Sequence, residues 1–184
     1  MADLVSQDIW TVRNLLSQAE CDGLIAQAEA EGFEPATINA QGRARRDQDV
    51  RNNDRVVLDD MRLAASLWAQ AREHLPAFLA GRQAIGLNER LRFYRYGPGQ
   101  QFKGHIDGSF LRPNGEQSLL TFMVYLNDSY RGGETAFQSA VVEPSRGLAL
   151  IFRHDLFHEG RAIDGRKYVL RTDVMFNPSG RVSG

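Results

Sequence analysis

The sequence has a single cysteine, Cys21, in 184 residues, so no disulfide can form within the chain. Its N-terminus, MADLVSQDIW, has neither the basic start nor the apolar run of a signal peptide. No apolar stretch approaches the roughly 20 residues that a membrane-spanning helix needs. The formal net charge of −1 argues against binding nucleic acid through overall charge. These absences predict a cytoplasmic protein with neither a membrane nor a nucleic-acid partner.

The composition that remains is typical of a globular protein, with 42% apolar and 24% charged residues. The length fits one domain with a full hydrophobic core, and no repeat, low-complexity tract or linker divides it. We therefore expect a single domain over residues 1–184. Within it, residues 1–87 are expected to hold helices, strands and a polar loop, and residues 88–178 to form a β-rich core.

Two helices are expected in the first half of the chain. Ser17, followed three residues later by Glu20, forms the pattern of a capping box before an apolar stripe. A second helix is predicted to begin at Asp59 or Asp60 and to run towards Pro76 or Gly81.

From residue 88 the sequence changes to short β-prone runs separated by turn residues. The runs are LRFYRY (91–96), SLLTFMVYL (118–126), GLALIF (147–152) and KYVLRTDVMF (167–176). Many short strands at such spacing favour an antiparallel sandwich or barrel. The order of helices followed by strands argues against a doubly wound α/β fold. We therefore predict a mainly β protein (α+β) whose N-terminal helices buttress one face of the strands.

A candidate metal site lies in the stretch GHIDG, which holds His105 and Asp107. Residues two apart in a strand project from the same face, so both side chains can reach one point. One imidazole and one carboxylate form part of a facial triad for a first-row divalent metal, and a third ligand completes it. By itself the pair is a weak signal, and a surface histidine beside an acid explains it better.

The third ligand has few candidates, because the chain contains four histidines. His158, directly before Glu159 and Gly160, is predicted to be that ligand. His154 is interpreted as a loop residue, and it is the alternative ligand if the register differs. His74, in the second predicted helix, is interpreted as a solvated helix residue.

The run KYVLRTDVMF presents two different faces if it is a strand. One face carries Tyr168, Leu170, Thr172, Val174 and Phe176, and the other carries Lys167, Val169, Arg171, Asp173 and Met175. The second face directs two cations to an interior, and buried cations are costly unless they meet an anion. A dicarboxylate ligand would supply that anion. Alternatively, Arg171 pairs with Asp173, and Lys167 extends its ammonium group to solvent.

Six motifs occur in a fixed order: YGPGQQFKGHIDGSF, LLTFMVYLND, GGETAF, VEPSRGLALIF, HEG and GRKYVLRTDVMF. In order and spacing, residues 88–178 resemble the 2-oxoglutarate- and Fe(II)-dependent oxygenases, most closely their prolyl-4-hydroxylase-like branch. The resemblance implies a double-stranded β-helix, which is a cupin-like jelly roll with iron inside one mouth. It also implies that His105, Asp107 and His158 bind the metal, with no further catalytic residue.

The resemblance assigns cosubstrate roles as well. Lys167 matches the basic residue that binds the far carboxylate of 2-oxoglutarate, and Tyr125 matches a tyrosine that hydrogen-bonds the same carboxylate. The gap from His158 to Lys167 is one residue shorter than in the collagen-type members. Arg171 is therefore retained as an alternative cosubstrate residue or as a substrate residue. Tyr96 matches an aromatic residue that lines the pocket, although core packing explains it equally well.

The resemblance implies Fe(II), 2-oxoglutarate as cosubstrate and O2, with ascorbate as an additional reductant. The expected reaction is hydroxylation of a C–H bond in a prolyl or other residue of a peptide or protein, with succinate and CO2 as coproducts. The alternative substrate is a free amino acid or small metabolite, which Arg171 in the pocket would favour. A nucleic-acid dealkylase needs a basic groove with stacking aromatics. A non-enzymatic jelly-roll binding module should lack a complete triad, whereas this chain retains all three residues. The dealkylase and the binding module are therefore less favoured than the two oxygenase functions above.

Residues 36–55 are polar and are predicted to form a long exposed loop or hairpin. Their charged residues are Arg43, Arg45, Arg46, Arg51, Arg55, Asp47, Asp49 and Asp54. The corresponding region of the hydroxylases that this chain resembles folds over the substrate, so we predict a lid. The alternative is a solvated loop whose charges largely neutralise one another.

Overall fold

The computed structural model describes residues 3–40, 43–45 and 50–178. Within these ranges the helices are α1 (Gln18–Glu31), α2 (Met61–Ala71) and a 3₁₀ turn (Arg72–His74). The strands are β1 (Asp3–Ser6), β2 (Ile9–Val12), β3 (Glu34–Pro35), β4 (Ile38–Ala40), β5 (Arg43–Arg45), β6 (Asp54–Asp59), β7 (Phe78–Leu79), β8 (Arg82–Leu87), β9 (Arg90–Tyr96), β10 (Phe102–His105), β11 (Gln117–Tyr125), β12 (Arg131–Gly132), β13 (Thr135–Phe137), β14 (Val141–Val142), β15 (Ala149–Arg153), β16 (His158–Gly160), β17 (Ile163–Asp164) and β18 (Lys167–Phe176). None of the helices in these ranges is long and apolar enough to cross a bilayer.

The larger sheet is antiparallel and has the strand order β1-β2-β15-β11-β18-β9-β6-β3, with β8 joined to the end of β18 and β7 to β8. Strands β11 and β18 occupy its centre, where Thr121 pairs with Asp173 and Met123 with Arg171. A strand with neighbours on both edges and packed layers on both faces is buried along its length, which matches the burial of nearly every residue of β18.

One face of the larger sheet packs against α1 and α2. The buried residues on this face of β18 are Tyr168, Leu170, Thr172, Val174 and Phe176. They lie in or beside one apolar cluster with Cys21, Leu24, Ala28, Ala64 and Leu67 of the two helices. We call this surface of β18 the helix-covered face. Its strictly alternating residues confirm the predicted packing of strands against helices.

The other face of the larger sheet packs against a smaller antiparallel sheet of order β10-β16-β13-β14. Phe137 and Val142 of the smaller sheet share an apolar cluster with Phe152 and Tyr125 of the larger one. Near β10 and β16 the two sheets separate and enclose a cavity. We call the surface of β18 that carries Lys167, Val169 and Arg171 the cavity face.

Local sequence explains where both helices begin and where the second ends. Ser17 and Glu20 form the predicted capping box, with Glu20 accepting from the Ser17 amide at 2.7 Å. Asp60 caps α2 as predicted, but α2 ends at Ala71 and only a 3₁₀ turn follows, so the predicted end at residues 76–81 is wrong. Pro76 prevents any helix from continuing beyond the 3₁₀ turn, because the residue before a proline is driven out of helical geometry, and Leu75 is extended.

The polar region 36–55 contains the hairpin formed by β4 and β5 and then joins the larger sheet through β6. Between them, Arg51 makes an isolated antiparallel bridge with Phe102. The prediction of a loop or hairpin is therefore correct for β4 and β5. The last two residues of region 36–55, Asp54 and Arg55, instead belong to the paired strand β6. Residues 41–42 and 46–49 of this region lie outside the described residues.

Candidate metal centre

Three predicted ligands meet at one end of the smaller sheet. His105 is the last residue of β10 and faces His158, the first residue of β16, in antiparallel register. Asp107 follows two residues later. One ligand atom from each side chain lies within 4.8 Å of the others. The Nε2 atoms of His105 and His158 are 3.7 and 3.8 Å from the two carboxylate oxygens of Asp107.

Both imidazoles are held in the tautomer that a metal requires. His105 Nδ1 lies 2.9 Å from the Lys103 carbonyl, and His158 Nδ1 lies 2.9 Å from the Leu156 carbonyl. A carbonyl oxygen only accepts, so each Nδ1 donates its hydrogen and each Nε2 keeps a lone pair directed at the cluster. Burial, followed by the charge of His158, lowers the pKa of His105 to about 4, and burial also lowers the pKa of His158. Both rings are therefore neutral at pH 7.

Asp107 is held by backbone and side-chain contacts. The prediction that it shares a strand face with His105 is wrong: β10 ends at His105, and the Asp107 amide donates to the His154 carbonyl at 3.0 Å. Its Oδ2 accepts from Thr121 Oγ1 at 2.5 Å and lies 3.2 Å from Arg171 Nη2. Burial opposes ionisation, but Arg171, His158 and Thr121 outweigh it and hold the pKa of Asp107 well below its ordinary value. The carboxylate is ionised, and its Oδ1 is left for a metal.

His154, the alternative ligand, lies under the cluster and not in it. It follows β15, and its ring is buried, with Nδ1 3.0 Å from Thr121 Oγ1 and Nε2 2.9 Å from Ser118 Oγ. A series of hydrogen bonds thus connects His154 through Thr121 to Asp107. Motif spacing missed Thr121. The available signal was a hydroxyl on the inward face of β11, two residues before Met123.

A cavity of about 550 Å³ opens directly beside these ligands. Residues from both sheets and from region 36–55 line it. They are Thr37, Val50, Arg51, Arg55, Arg92, Tyr94, Tyr96, Phe102, His105, Ile106, Asp107, Gly108, Thr121, Met123, Thr135, Phe152, His158, Gly160, Lys167, Val169 and Arg171. A volume of this size is typical of a small-molecule site.

Lys167 is 3% exposed and points into this cavity. Its Nζ donates to the Gly133 carbonyl and lies 5.4 and 5.2 Å from the ring centres of Tyr96 and Tyr125. Within the described residues it forms no ion pair. Burial lowers its pKa to about 8, and the charge of Glu134 opposes that shift. A buried ammonium of this kind lacks a compensating anion, which a bound carboxylate would supply.

Arg171 faces the same cavity but already has anionic partners. Its Nη2 lies 3.2 Å from Asp107 and 3.1 Å from Asp173. Burial lowers its pKa, yet the two carboxylates outweigh burial and raise it above the ordinary value. The interpretation that Arg171 pairs with Asp173 therefore fits the structure. The companion interpretation, that Lys167 extends to solvent, does not, because the Lys167 side chain is enclosed.

The two predicted tyrosines occupy different positions. Tyr96 lines the cavity, whereas Tyr125 is fully buried behind Thr135, with its hydroxyl 2.7 Å from Thr135 Oγ1. Burial raises the pKa of Tyr96 to about 12 and raises that of Tyr125 further. Both hydroxyls are therefore protonated donors. Thr135, like Thr121, is a cavity-lining hydroxyl that sequence reasoning missed.

The donor set fits Fe(II). Two neutral imidazole nitrogens and one ionised carboxylate are the donor set that non-haem Fe(II) accepts, and His105, Asp107 and His158 would hold the ion at the edge of the cavity. Gly104 allows the close packing beside this site. A Cβ there would lie 2.2 Å from Phe157 Cζ, so any larger residue would displace that ring.

Comparison with known proteins agrees with this geometry. The family model of the 2OG-Fe(II) oxygenase superfamily matches residues 91–172, which contain the three predicted ligands and Lys167. A probable prolyl 4-hydroxylase 3 of Arabidopsis thaliana is 28% identical over 130 residues, 69% of this chain. The chain spans 44% of the length of that plant protein.

Solved structures establish the jelly-roll fold. The viral collagen prolyl hydroxylase of Paramecium Bursaria Chlorella virus-1, in its 2-oxoglutarate complex, has a TM-score of 0.66 at 22% identity, covering 91% of this chain and 96% of its own. A Pseudomonas putida prolyl-4-hydroxylase has a TM-score of 0.67 at 18% identity, with coverage of 97% and 96%. A Trichoplax adhaerens prolyl hydroxylase in complex with a peptide fragment of hypoxia inducible factor has a TM-score of 0.74 at 15% identity, with coverage of 93% and 84%.

The predicted fold class is thus confirmed: a mainly β chain with a jelly-roll core buttressed by N-terminal helices. The predicted family is confirmed as well, and it implies Fe(II), 2-oxoglutarate and O2, for which the His-Asp-His cluster provides a fitting site. Residues 91–172 therefore match the 2OG-Fe(II) oxygenase superfamily, and the chain is similar to the prolyl-4-hydroxylases.

Proposed function

We propose that this protein is an Fe(II)- and 2-oxoglutarate-dependent dioxygenase that hydroxylates a C–H bond of a prolyl or other residue in a peptide or protein. One observation carries the proposal. The His-Asp-His cluster and Lys167, a buried cation without an ion-pair partner in the described part of the chain, line the same cavity. A metal site alone is compatible with many activities. A metal site that shares its cavity with an unpaired ammonium fits a cosubstrate that chelates metal at one end and carries a carboxylate at the other.

Each ligand has a defined part in holding the metal. His105 and His158 offer Nε2 and Asp107 offers Oδ1, as their tautomers and hydrogen bonds leave these atoms free. When bound, Fe(II) with 2-oxoglutarate and O2 supplies the oxidising chemistry, with succinate and CO2 as coproducts. The protein contributes ligands, orientation and a site from which water is excluded.

We assign the far carboxylate of 2-oxoglutarate to Lys167 and place Arg171 in a different role. Lys167 donates a charge-assisted hydrogen bond, and the Thr135 hydroxyl, itself bonded to Tyr125, lies on the same cavity wall. Arg171 instead fixes and ionises Asp107, which supports the metal ligand and leaves little capacity for another carboxylate. Met123, Val169 and Phe152 form the apolar wall that limits water.

The peptide assignment is supported by the open side of the cavity. Ile106, between the two ligands of the H-x-D pair, is 61% exposed and also lines the cavity, so an extended chain could pack there. Thr37 and Val50 of region 36–55 line the same cavity. Their position supports the proposal that region 36–55 covers a bound substrate. The Trichoplax relative was solved with a peptide fragment, which points in the same direction.

A free amino acid or small metabolite is the second candidate substrate, and the cationic lining of the cavity favours it. Five cavity-lining residues are lysine or arginine, while Asp107 is the carboxylate among them. We propose no nucleic-acid partner, since the chain as a whole carries a net charge of −1. A cytoplasmic location is also proposed, on the basis of the single buried cysteine.

The test is Fe(II)-dependent formation of succinate from 2-oxoglutarate, with ascorbate present, on a panel of prolyl peptides and free amino acids. Mass spectrometry detects the added oxygen in the product. His105→Ala and His158→Ala should abolish turnover, whereas His74→Ala, which removes a histidine from the 3₁₀ turn after α2, should not. Succinate formation that is equal in all three variants, or absent from the native protein with every substrate, would overturn the proposal.

A further inference from the structure

A second buried cation lies on the wall formed by β9, β10 and region 36–55. Arg51 is 6% exposed, and its guanidinium lies between the rings of Tyr94 and Phe102, 4.2 and 4.3 Å from their centres. Its Nε donates to Asn53 Oδ1 at 2.6 Å. Its Nη2 is buried and has no hydrogen-bond partner in the described residues. An unsatisfied, buried and charged donor is costly unless a ligand completes it.

Arg55 lies beside it with a weak partner. Arg55 Nη2 donates to Thr37 Oγ1 at 3.3 Å, and in the described residues it forms no ion pair. Burial lowers the pKa of Arg55, and although Tyr94 opposes this, the charges of Arg51 and Arg92 lower it further. The arginines therefore repel one another across the cavity wall.

The pKa of the Tyr94 phenol reflects the same surplus of positive charge. Its ring is buried, and burial alone would raise its pKa. The charges of Arg51, Arg171 and Arg92 outweigh burial, so the pKa of Tyr94 lies below its ordinary value. This wall of the cavity is therefore set up to stabilise an anion.

The cations of the cavity can be assigned partners one by one. Arg171 has Asp107 and Asp173, and Arg92 lies 3.5 Å from Asp173. Lys167 has the far carboxylate of 2-oxoglutarate under the proposed function. Within the described residues, Arg51 and Arg55 then remain without a carboxylate.

We propose that Arg51 and Arg55 form a carboxylate-binding subsite for the substrate. The inference rests on the proposed function, because it assigns these residues to the molecule that is oxidised and not to the cosubstrate. The carboxylate has two chemical sources: the α-carboxylate of a free amino acid, or an acidic side chain next to the target residue of a peptide.

The position of this subsite fits a substrate contact. Phe102, on which Arg51 stacks, lies parallel to the ring of His105 with their centres 3.6 Å apart. One aromatic ring therefore separates the guanidinium from a metal ligand. A carboxylate on Arg51 places the neighbouring carbons of the same molecule near the metal centre.

The experiment compares acid and amide pairs by calorimetry on protein loaded with Mn(II), which does not support turnover, and 2-oxoglutarate. N-acetyl-L-proline against N-acetyl-L-prolinamide represents the free amino acid source. Two pairs represent the peptide source. Acetyl-Pro-Asp-amide is compared with acetyl-Pro-Asn-amide, and acetyl-Asp-Pro-amide is compared with acetyl-Asn-Pro-amide. The native protein should prefer the acid of at least one pair by about tenfold to a hundredfold, the range expected for hydrogen bonds to charged groups. The pair that shows the preference identifies the source.

Arg51→Gln and Arg55→Gln should each reduce that preference, and the double variant should abolish it. Arg51→Lys, which keeps the charge but not the planar fork, should retain part of it. Arg62→Gln removes the same charge from an exposed position on α2 and should leave the preference unchanged. If Arg51→Gln fails to fold, as judged by circular dichroism, the test is made with Arg55→Gln, since Arg55 is only half-buried.

The outcomes separate this inference from the proposed function. No acid preference in the native protein, including no detectable binding by either member of every pair, overturns the subsite, as does a preference that both glutamine variants retain. A raised KM for 2-oxoglutarate in Arg51→Gln with the acid preference unchanged also overturns it, because the arginine then serves the cosubstrate. An acid preference in a protein that forms no succinate leaves the subsite standing and removes the proposed reaction.

Discussion

The two faces of strand β18 differ in what their residues do. On the helix-covered face, Leu170, Val174 and Phe176 are fully buried among apolar neighbours. On the cavity face, Lys167 is buried and Arg171 is mostly buried, but both side chains are charged. One strand therefore contributes a hydrophobic core on one side and a reactive site on the other. Substitutions on the first face should alter stability alone, while those on the second should separate stability from ligand binding.

The cavity face itself contains a second contrast, between two cations four residues apart. Arg171 is neutralised by carboxylates of the protein, so it is part of the folded structure whether or not a ligand is bound. Lys167 has a backbone carbonyl as its hydrogen-bond partner and a depressed pKa. The charge of Arg171 is compensated by carboxylates of the protein, whereas the charge of Lys167 would be compensated by the carboxylate of a ligand. The four predictions below test these contrasts.

The largest effect on stability is expected from Arg171→Met. This change leaves Asp107 and Asp173 buried with less positive charge, and removing one partner of a buried ion pair typically costs about 3–5 kcal/mol. Urea denaturation of metal-free protein should show that loss in the free energy of unfolding. Arg171→Lys keeps the charge and should lose less. An unfolding free energy equal to that of the native protein would contradict the structural role of Arg171.

Leu170→Ala tests the opposite face. Leu170 is fully buried between β18 and the helices, so its truncation should lower the free energy of unfolding by about 2–5 kcal/mol. The KM for 2-oxoglutarate should stay unchanged at a temperature where the variant is folded, since the side chain does not reach the cavity. Leu4→Ala, at a position 66% exposed, is the matched control and should change stability by less than about 0.5 kcal/mol. A raised KM in Leu170→Ala would show that the two faces are not independent.

The sequence could predict much of this arrangement because the relevant patterns are local. Alternation along residues 167–176 placed both cations on one face, and the Ser17 and Glu20 pair located the start of α1. The order of motifs brought His158 to the H-x-D pair. Each of these depends on spacing within a few residues or on a resemblance that preserves order.

What the sequence did not predict depends on contacts between distant segments. Thr121 and His154 support Asp107 only because β11 and β15 pair in one register. Arg51 is one of five arginines in a polar region that also carries three aspartates, so the local sequence does not distinguish it. Its stacking between Tyr94 and Phe102 follows from the fold and has no local signature.

Lys167→Met should separate ligand binding from stability. It removes the proposed partner of the far carboxylate, so the KM for 2-oxoglutarate should rise by about tenfold to a hundredfold, the range for a hydrogen bond to a charged group. The melting temperature of the metal-free protein should not fall, because the change removes a buried cation that has no ion-pair partner in the described part of the chain. A lowered melting temperature with an unchanged KM would assign Lys167 a structural role like that of Arg171.

The smallest effect is a dependence on pH that Lys167 should impose. Burial holds its pKa at about 8 in the free protein, so the ammonium is charged below pH 8 and loses its proton above it. A carboxylate binds the charged form, and binding above pH 8 must therefore take up a proton. The affinity for 2-oxoglutarate, measured by calorimetry on Mn(II)-loaded protein, should be constant from pH 6.5 to 7.5 and fall by up to about tenfold per unit above pH 8. The affinity of Lys167→Arg for 2-oxoglutarate should change little with pH, both below and above pH 8, because a guanidinium stays protonated. If native protein and Lys167→Arg lose affinity in parallel above pH 8, another group controls the binding, and the contrast between the two cations of the cavity face disappears.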